Sequence, residues 1–138
     1  MKRIKVLLIE DNPGDVLLTS EALSESKFLV DLEVVNNGRE GVDYLFSRGE
    51  FIDKTKPDVV LLDINLPLKS GHEVLMEVKD NSITKDIPII MLTTSSVQDD
   101  ILKSYQEQAS CYIVKPVEVE QFDDFIKVFD RFCDTIDV

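Results

Sequence analysis

Four places in this sequence put polar chemistry at the end of an apolar run. "VLLIEDN" ends in Glu10-Asp11-Asn12, "VVLLD" in Asp63, "IIMLTT" in Thr93-Thr94 and "YIVKP" in Lys115-Pro116. Carboxylates brought close together repel, and each raises the pKa of the next unless a cation sits between them. Hard oxygen donors suit Mg2+, which keeps some of its waters and often shares a phosphate oxygen. Lys115 adds a point positive charge of the kind that meets a phosphoryl oxygen. The set therefore reads as a site for a phosphoryl group that arrives with Mg2+. Asp63 is then a carboxylate able to become its covalent acceptor, as an aspartyl phosphate.

Each residue taken alone has a plainer reading. Glu10 and Asp11 before a helix favour its N-terminus electrostatically. Asp63 is a good turn residue, with Leu66-Pro67 ending any strand soon after it. A lysine before proline is most often solvated, and a threonine at a strand end is usually structural. Only their meeting on one rim favours the chemical reading, so the elements that position them decide the matter.

Five short Val- and Ile-rich runs are predicted as strands, at 4–9, 32–36, 58–63, 87–93 and 111–114. Helical spacing is expected at 14–26 (Val16, Leu17, Leu23), 38–48 (Val42, Leu45, Phe46) and 71–80 (Val74, Leu75, Val78). It is expected again at 97–108 (Ile101, Leu102, Tyr105) and 119–135, the clearest stretch, with Phe122, Phe125, Ile126, Phe129, Phe132 and Cys133. Alternating strands and helices imply parallel βαβ units. The first, third and fourth strands are nearly continuous apolar runs, which fits coverage on both faces, and the mixed second and fifth belong at the edges. With right-handed crossovers the expected fold is an α/β, doubly wound (βα)5 flavodoxin-like domain, strand order 2-1-3-4-5. In that order the ligand crevice lies at the carboxyl ends of strands 1 and 3, where the polar residues stand.

The chain of 138 residues is about one domain, 43% hydrophobic, with no repeat, low-complexity tract or linker. It is expected to be a single domain over 1–138 without an output domain. No run of about 18 apolar residues spans a membrane. The N-terminal apolar run stops at Glu10-Asp11 and has no cleavage signal, so a cytoplasmic protein is expected. The 27 acids and 15 bases leave a net charge of −12, which repels nucleic-acid backbones and anionic lipid. Cys111 and Cys133 match no zinc spacing and read as ordinary buried or half-buried thiols. His72, the only histidine, reads as an exposed helix residue. The four Phe of the last helix either all face the sheet or leave part of an apolar patch for a homodimer.

"LLIEDN", "VVLLDINLP", "IIMLT" and "YIVKP", in this order over nearly the whole chain, resemble the receiver domain of two-component response regulators. Each motif is weak alone, and the ordered set is specific. The resemblance implies Asp63 as phosphoacceptor, Asp11 as direct Mg2+ ligand with Glu10 acting through water, and the Asn65 backbone carbonyl as a further metal ligand. It implies Thr93 as the hydroxyl that reorients toward the phosphoryl group, Lys115 as its ion-pair partner before a cis Pro116, and Tyr112 as the aromatic switch. "DNPGDVLLTSEAL", "LTTSS", "DILKSY" and "FSRGEFIDKTKP" are further similar to the single-domain regulators paired with bacterial phytochromes. Two positions depart from the family's pattern. Thr94 stands where a smaller residue is usual and should narrow access to the phosphoryl group, and Gln108-Ala109 replaces Gly-Ala.

The implied partner is a sensor histidine kinase or a histidine phosphotransfer protein, with catalysis confined to the protein's own phosphorylation and dephosphorylation. Output would be by protein contact, including a homodimer through the face of the 97–108 helix, the 111–114 strand and the 119–135 helix. A phosphorelay intermediate that passes the phosphate on, and a non-phosphorylated scaffold, are the alternatives. A flavin carrier of the same fold would need a hydroxyl- and glycine-rich loop where Glu10-Asp11 stand. A haloacid-dehalogenase-type phosphatase would need D-x-D after the first strand, which "EDN" does not supply.

Overall fold

The structure is a computed structural model that describes residues 2–94 and 111–136. The predicted 97–108 helix and the Gln108-Ala109 departure lie outside the described residues. Five parallel strands, β1 (Arg3–Ile9), β2 (Leu29–Val35), β3 (Val59–Asp63), β4 (Ile89–Thr93) and β5 (Cys111–Val114), form one sheet in the order β2-β1-β3-β4-β5. This is the flavodoxin-like order expected above. Every residue of β3 and β4 is buried, whereas edge strand β2 alternates between solvent and core. β2 starts at Leu29, three residues before its expected start, because the alternation of Leu29, Val30 and Asp31 is that of a half-solvated edge.

Among the described residues the helices are α1 (Pro13–Leu23), α2 (Gly38–Leu45), α3 (Gly71–Lys79) and α4 (Phe122–Cys133), the last entered through a 3-10 turn at Val119–Gln121. The starts of α1, α2 and α3 follow side-chain capping. Asn12 Oδ1 accepts the Asp15 N–H at 3.0 Å with Pro13 in the first turn, Asn37 caps α2, and Ser70 and Glu73 form a capping box on α3.

The pleat sorts the core into two layers. Ile4, Val6, Leu8, Val59 and Leu61 pack with Ala22 and Leu23 of α1 and with Phe122, Phe125 and Phe129 of α4. Leu7, Ile9, Val60, Leu62 and Met91 pack with Val42 and Leu45 of α2 and Val74, Leu75 and Val78 of α3. Phe132 is half-buried against the first layer, so all four Phe of α4 contribute to the core. Leu17 is a correction: expected on the inner side of α1, it is 58% exposed. At about 100° per residue it lies nearly opposite Thr19 and Ala22, which are the buried positions.

Candidate functional site

The sheet register builds the site. Ile9 pairs with Leu62, so Glu10 comes level with Asp63 where β1 and β3 end side by side. Backbone ladders continue one residue past the strands: Glu10 N–H donates to Val35 O at 3.0 Å, Ile64 N–H to Leu92 O at 3.3 Å, and Lys115 N–H to Thr93 O at 2.7 Å. The residues at the rim are therefore held by main-chain hydrogen bonds rather than carried on free loops. Strand alternation then assigns faces. Asp63 follows Val59 and Leu61, and Lys115 follows Cys111 and Ile113, all facing α1 and α4. Thr93 follows Ile89 and Met91, on the side that Tyr112 shares.

Glu10, Asp63, Thr93 and Lys115 are buried, whereas Asp11 and Asn65 are exposed at the mouth. Oxygens of Glu10, Asp11 and Asp63 all lie within 4.8 Å of one another. The Lys115 ammonium reaches into this cluster, 2.7 Å from Glu10 Oε1, 3.0 Å from Asp15 Oδ2 and 3.2 Å from Asp63 Oδ2. The other carboxylate oxygens face backbone amides. Asn12 N–H donates to Glu10 Oε2 at 3.3 Å, and Asn65 N–H lies 3.4 Å from Asp63 Oδ1.

The electrostatics are those of an anion-rich pocket. Burial raises the Glu10 carboxyl to about 7; the Lys115 hydrogen bond opposes that rise and the neighbouring Asp63 adds to it. Burial also pulls the Lys115 ammonium down, but its hydrogen bonds to Glu10 and Asp15 and the charge of Asp63 outweigh this and hold it above an ordinary lysine. Glu10, Asp15 and Asp63 surround this one ammonium, and Asp11 stands beside Glu10 and Asp63. A hard dication fits such an excess of oxygen donors, and the three convergent carboxylates form an acidic metal-binding site.

Four of the side chains expected at the rim, Glu10, Asp11, Asp63 and Lys115, come together here, and Thr93 is buried at the end of the neighbouring β4. Asp15 was not anticipated. It comes from a helix and not from a strand end, so only its place in the first turn after the Asn12 cap could have pointed to it. Pro116 is a correction: the described peptide bonds are all trans, Lys115–Pro116 included. Trans is the commoner X–Pro form, and in it the buried Pro116 still follows the ladder bond that fixes Lys115. His72 is also corrected, from exposed to half-buried, and burial lowers its imidazole pKa. Cys111 is half-buried and Cys133 buried, as expected.

This fold with this acidic pocket is that of a phosphorylation receiver. Residues 6–127 match the response regulator receiver domain, and the chain belongs to that family, a family of signalling modules rather than turnover enzymes. Response regulator Rcp1 of Synechocystis sp. is 35% identical over 127 residues, which cover 92% of this chain and 86% of that protein. The structure of the phosphorylated cyanobacterial phytochrome response regulator RcpA superimposes with a TM-score of 0.86 at 38% identity, covering 98% of this chain and 97% of its own. The Mn2+-bound form of Rcp1 gives 0.84 at 33% identity, covering 98% of both chains. The chain is thus similar to phytochrome-associated response regulators. No described helix is long and apolar enough to cross a membrane.

Proposed function

We propose that this chain is a single-domain response regulator that accepts a phosphoryl group on Asp63 from the phosphohistidine of a sensor kinase or a histidine phosphotransfer protein in the cytoplasm. The observation that carries this reading is the Asp63 carboxylate, buried at the end of the central strand, with Lys115 on one oxygen and a carboxylate cluster beside it. A carboxylate oxygen of Asp63 attacks phosphorus, the P–O bond forms as the P–N bond breaks, and the imidazole leaves with the bonding pair and takes up a proton. Lys115 neutralises charge on the transferring group, so the protein's contribution is positioning and electrostatics. Asp11, Asp63 and the Asn65 carbonyl are the groups that would hold Mg2+, with Glu10 acting through water; the bound ion supplies charge neutralisation of the phosphoryl oxygens.

Thr93 and Tyr112 lie on the same face of neighbouring strands, and Met91 rather than Thr93 is the register partner of Tyr112. A Thr93 hydroxyl drawn toward the phosphoryl group leaves room on that face, which the half-buried Tyr112 ring can take by turning inward. This is the arrangement a two-state switch needs. The readout is altered protein contact. Similarity to RcpA and Rcp1 supports a phytochrome-type kinase as the donor.

Intact-mass measurement after incubation with a small acyl-phosphate donor tests the reading. One added phosphoryl group, dependent on Mg2+ and absent in Asp63→Asn, is expected. An unchanged mass in the wild type with Mg2+ present contradicts it.

A further inference from the structure

We infer that Asp15 is a positioning residue that competes with the phosphoryl group for Lys115, so that phosphorylation of Asp63 displaces the Asp15–Lys115 ion pair. The inference rests on the phosphoacceptor reading of Asp63. An ammonium has three N–H donors. Lys115 has three carboxylate partners, at 2.7 Å in Glu10, 3.0 Å in Asp15 and 3.2 Å in Asp63. Three carboxylates therefore already crowd the ammonium, which donates a hydrogen bond to Asp15, and an arriving phosphoryl oxygen must displace one of them.

Burial decides which. The side chains of Glu10 and Asp63 are 1% and 4% exposed, and that of Asp15 is 29%. Glu10 and Asp63 are fixed at strand ends by the ladder bonds of Glu10 and Ile64, and leaving Lys115 would strand a carboxylate away from water. Asp15 is on the first turn of α1, with its backbone N–H held by Asn12 and its carboxylate at the solvent boundary. Rotation about its side chain exchanges Lys115 for water at small cost. In the unphosphorylated protein Asp15 holds the ammonium over the site. In the phosphorylated protein its charge stands beside a phosphoryl dianion and opposes it.

Removing that charge should therefore strengthen occupancy, an effect that simple structural damage does not produce. Beryllofluoride, which takes the place of a phosphoryl group on a carboxylate, is titrated at saturating Mg2+ and followed by 19F NMR. Asp15→Asn and Asp15→Ser are expected to bind it about three- to tenfold more tightly than wild type, the scale of a partly exposed charged hydrogen bond. Asp15→Glu, which keeps the charge, is expected to stay within about twofold of wild type on the same scale. Equal or weaker binding in the two neutral variants overturns the role of Asp15 and leaves the phosphoacceptor reading standing. No bound beryllofluoride in the wild type overturns that reading, and the inference with it.

Discussion

A Cβ placed on Gly71 would lie 2.3 Å from the carbonyl oxygen of Asp63. The first residue of α3 is thus packed directly on the backbone of the proposed phosphoacceptor, and its N–H donates to Ile64 O at 2.9 Å. The obstacle is main chain, so it cannot swing aside. Gly71→Ala is expected to destabilise the protein by about 1–3 kcal/mol through overpacking and to slow phosphorylation by displacing Asp63. Urea denaturation and the initial rate of phosphoryl uptake measure the two effects; wild-type values for both contradict the packing account.

Lys115 offsets an excess of buried negative charge. Removing it in Lys115→Met leaves Glu10 and Asp63 facing one another without a cation, which is expected to cost about 3–5 kcal/mol in EDTA. Added Mg2+ should recover more stability in this variant than in wild type, because a cation is what the variant lacks. Asp63→Asn removes one of the competing anions and is expected to be at least as stable as wild type while losing phosphorylation. A Lys115→Met protein as stable as wild type in EDTA shows that the ammonium does not balance the cluster.

α4 is anchored by Phe129, which is fully buried and stacks on Phe125 with ring centroids 6.5 Å apart. Phe129→Ala should cost about 3–5 kcal/mol, and Phe132→Ala, from a half-buried position, clearly less. Chemical denaturation of the two variants checks the ranking, and a larger loss at Phe132 would reverse the assigned faces.

The two thiols should differ in reactivity. Burial pushes Cys133 up to about 12, with Asp130 and Asp134 adding to the rise. Its folded pKa is above the unfolded value, so between about 9 and about 12 the unfolded chain releases a proton that the folded chain keeps. Stability therefore falls as pH rises through that window. At neutral pH, native labelling of Cys133 is expected only on unfolding, and more slowly than labelling of half-buried Cys111. Equal rates with a disulfide-exchange reagent contradict this.

The strand order was legible because the apolar runs of β1, β3 and β4 differ visibly from the mixed β2. The rim followed, since Glu10, Asp63, Thr93 and Lys115 each mark the end of a strand. The inner face of α1 was less legible. Its buried positions are Thr19 and Ala22, whereas apolar Leu17 faces out, so hydrophobic spacing points the wrong way there. Asp15 escaped for a related reason: an acid in a first helical turn looks like a dipole partner, and only the assembled sheet brings Lys115 to it. The trans Lys115–Pro116 bond is not encoded in local sequence, because the two X–Pro isomers differ by only about 0.5–1 kcal/mol.

The central claim is that Asp63 carries the phosphoryl group. Borohydride reduction of the phosphorylated protein converts an aspartyl phosphate to homoserine, which peptide mass spectrometry locates. Homoserine at position 63, and at no other acidic residue, is the expected result. Homoserine at Asp11 or Asp15, the corresponding five-carbon alcohol at Glu10, or a phosphorylated protein without any reduced residue, would contradict it.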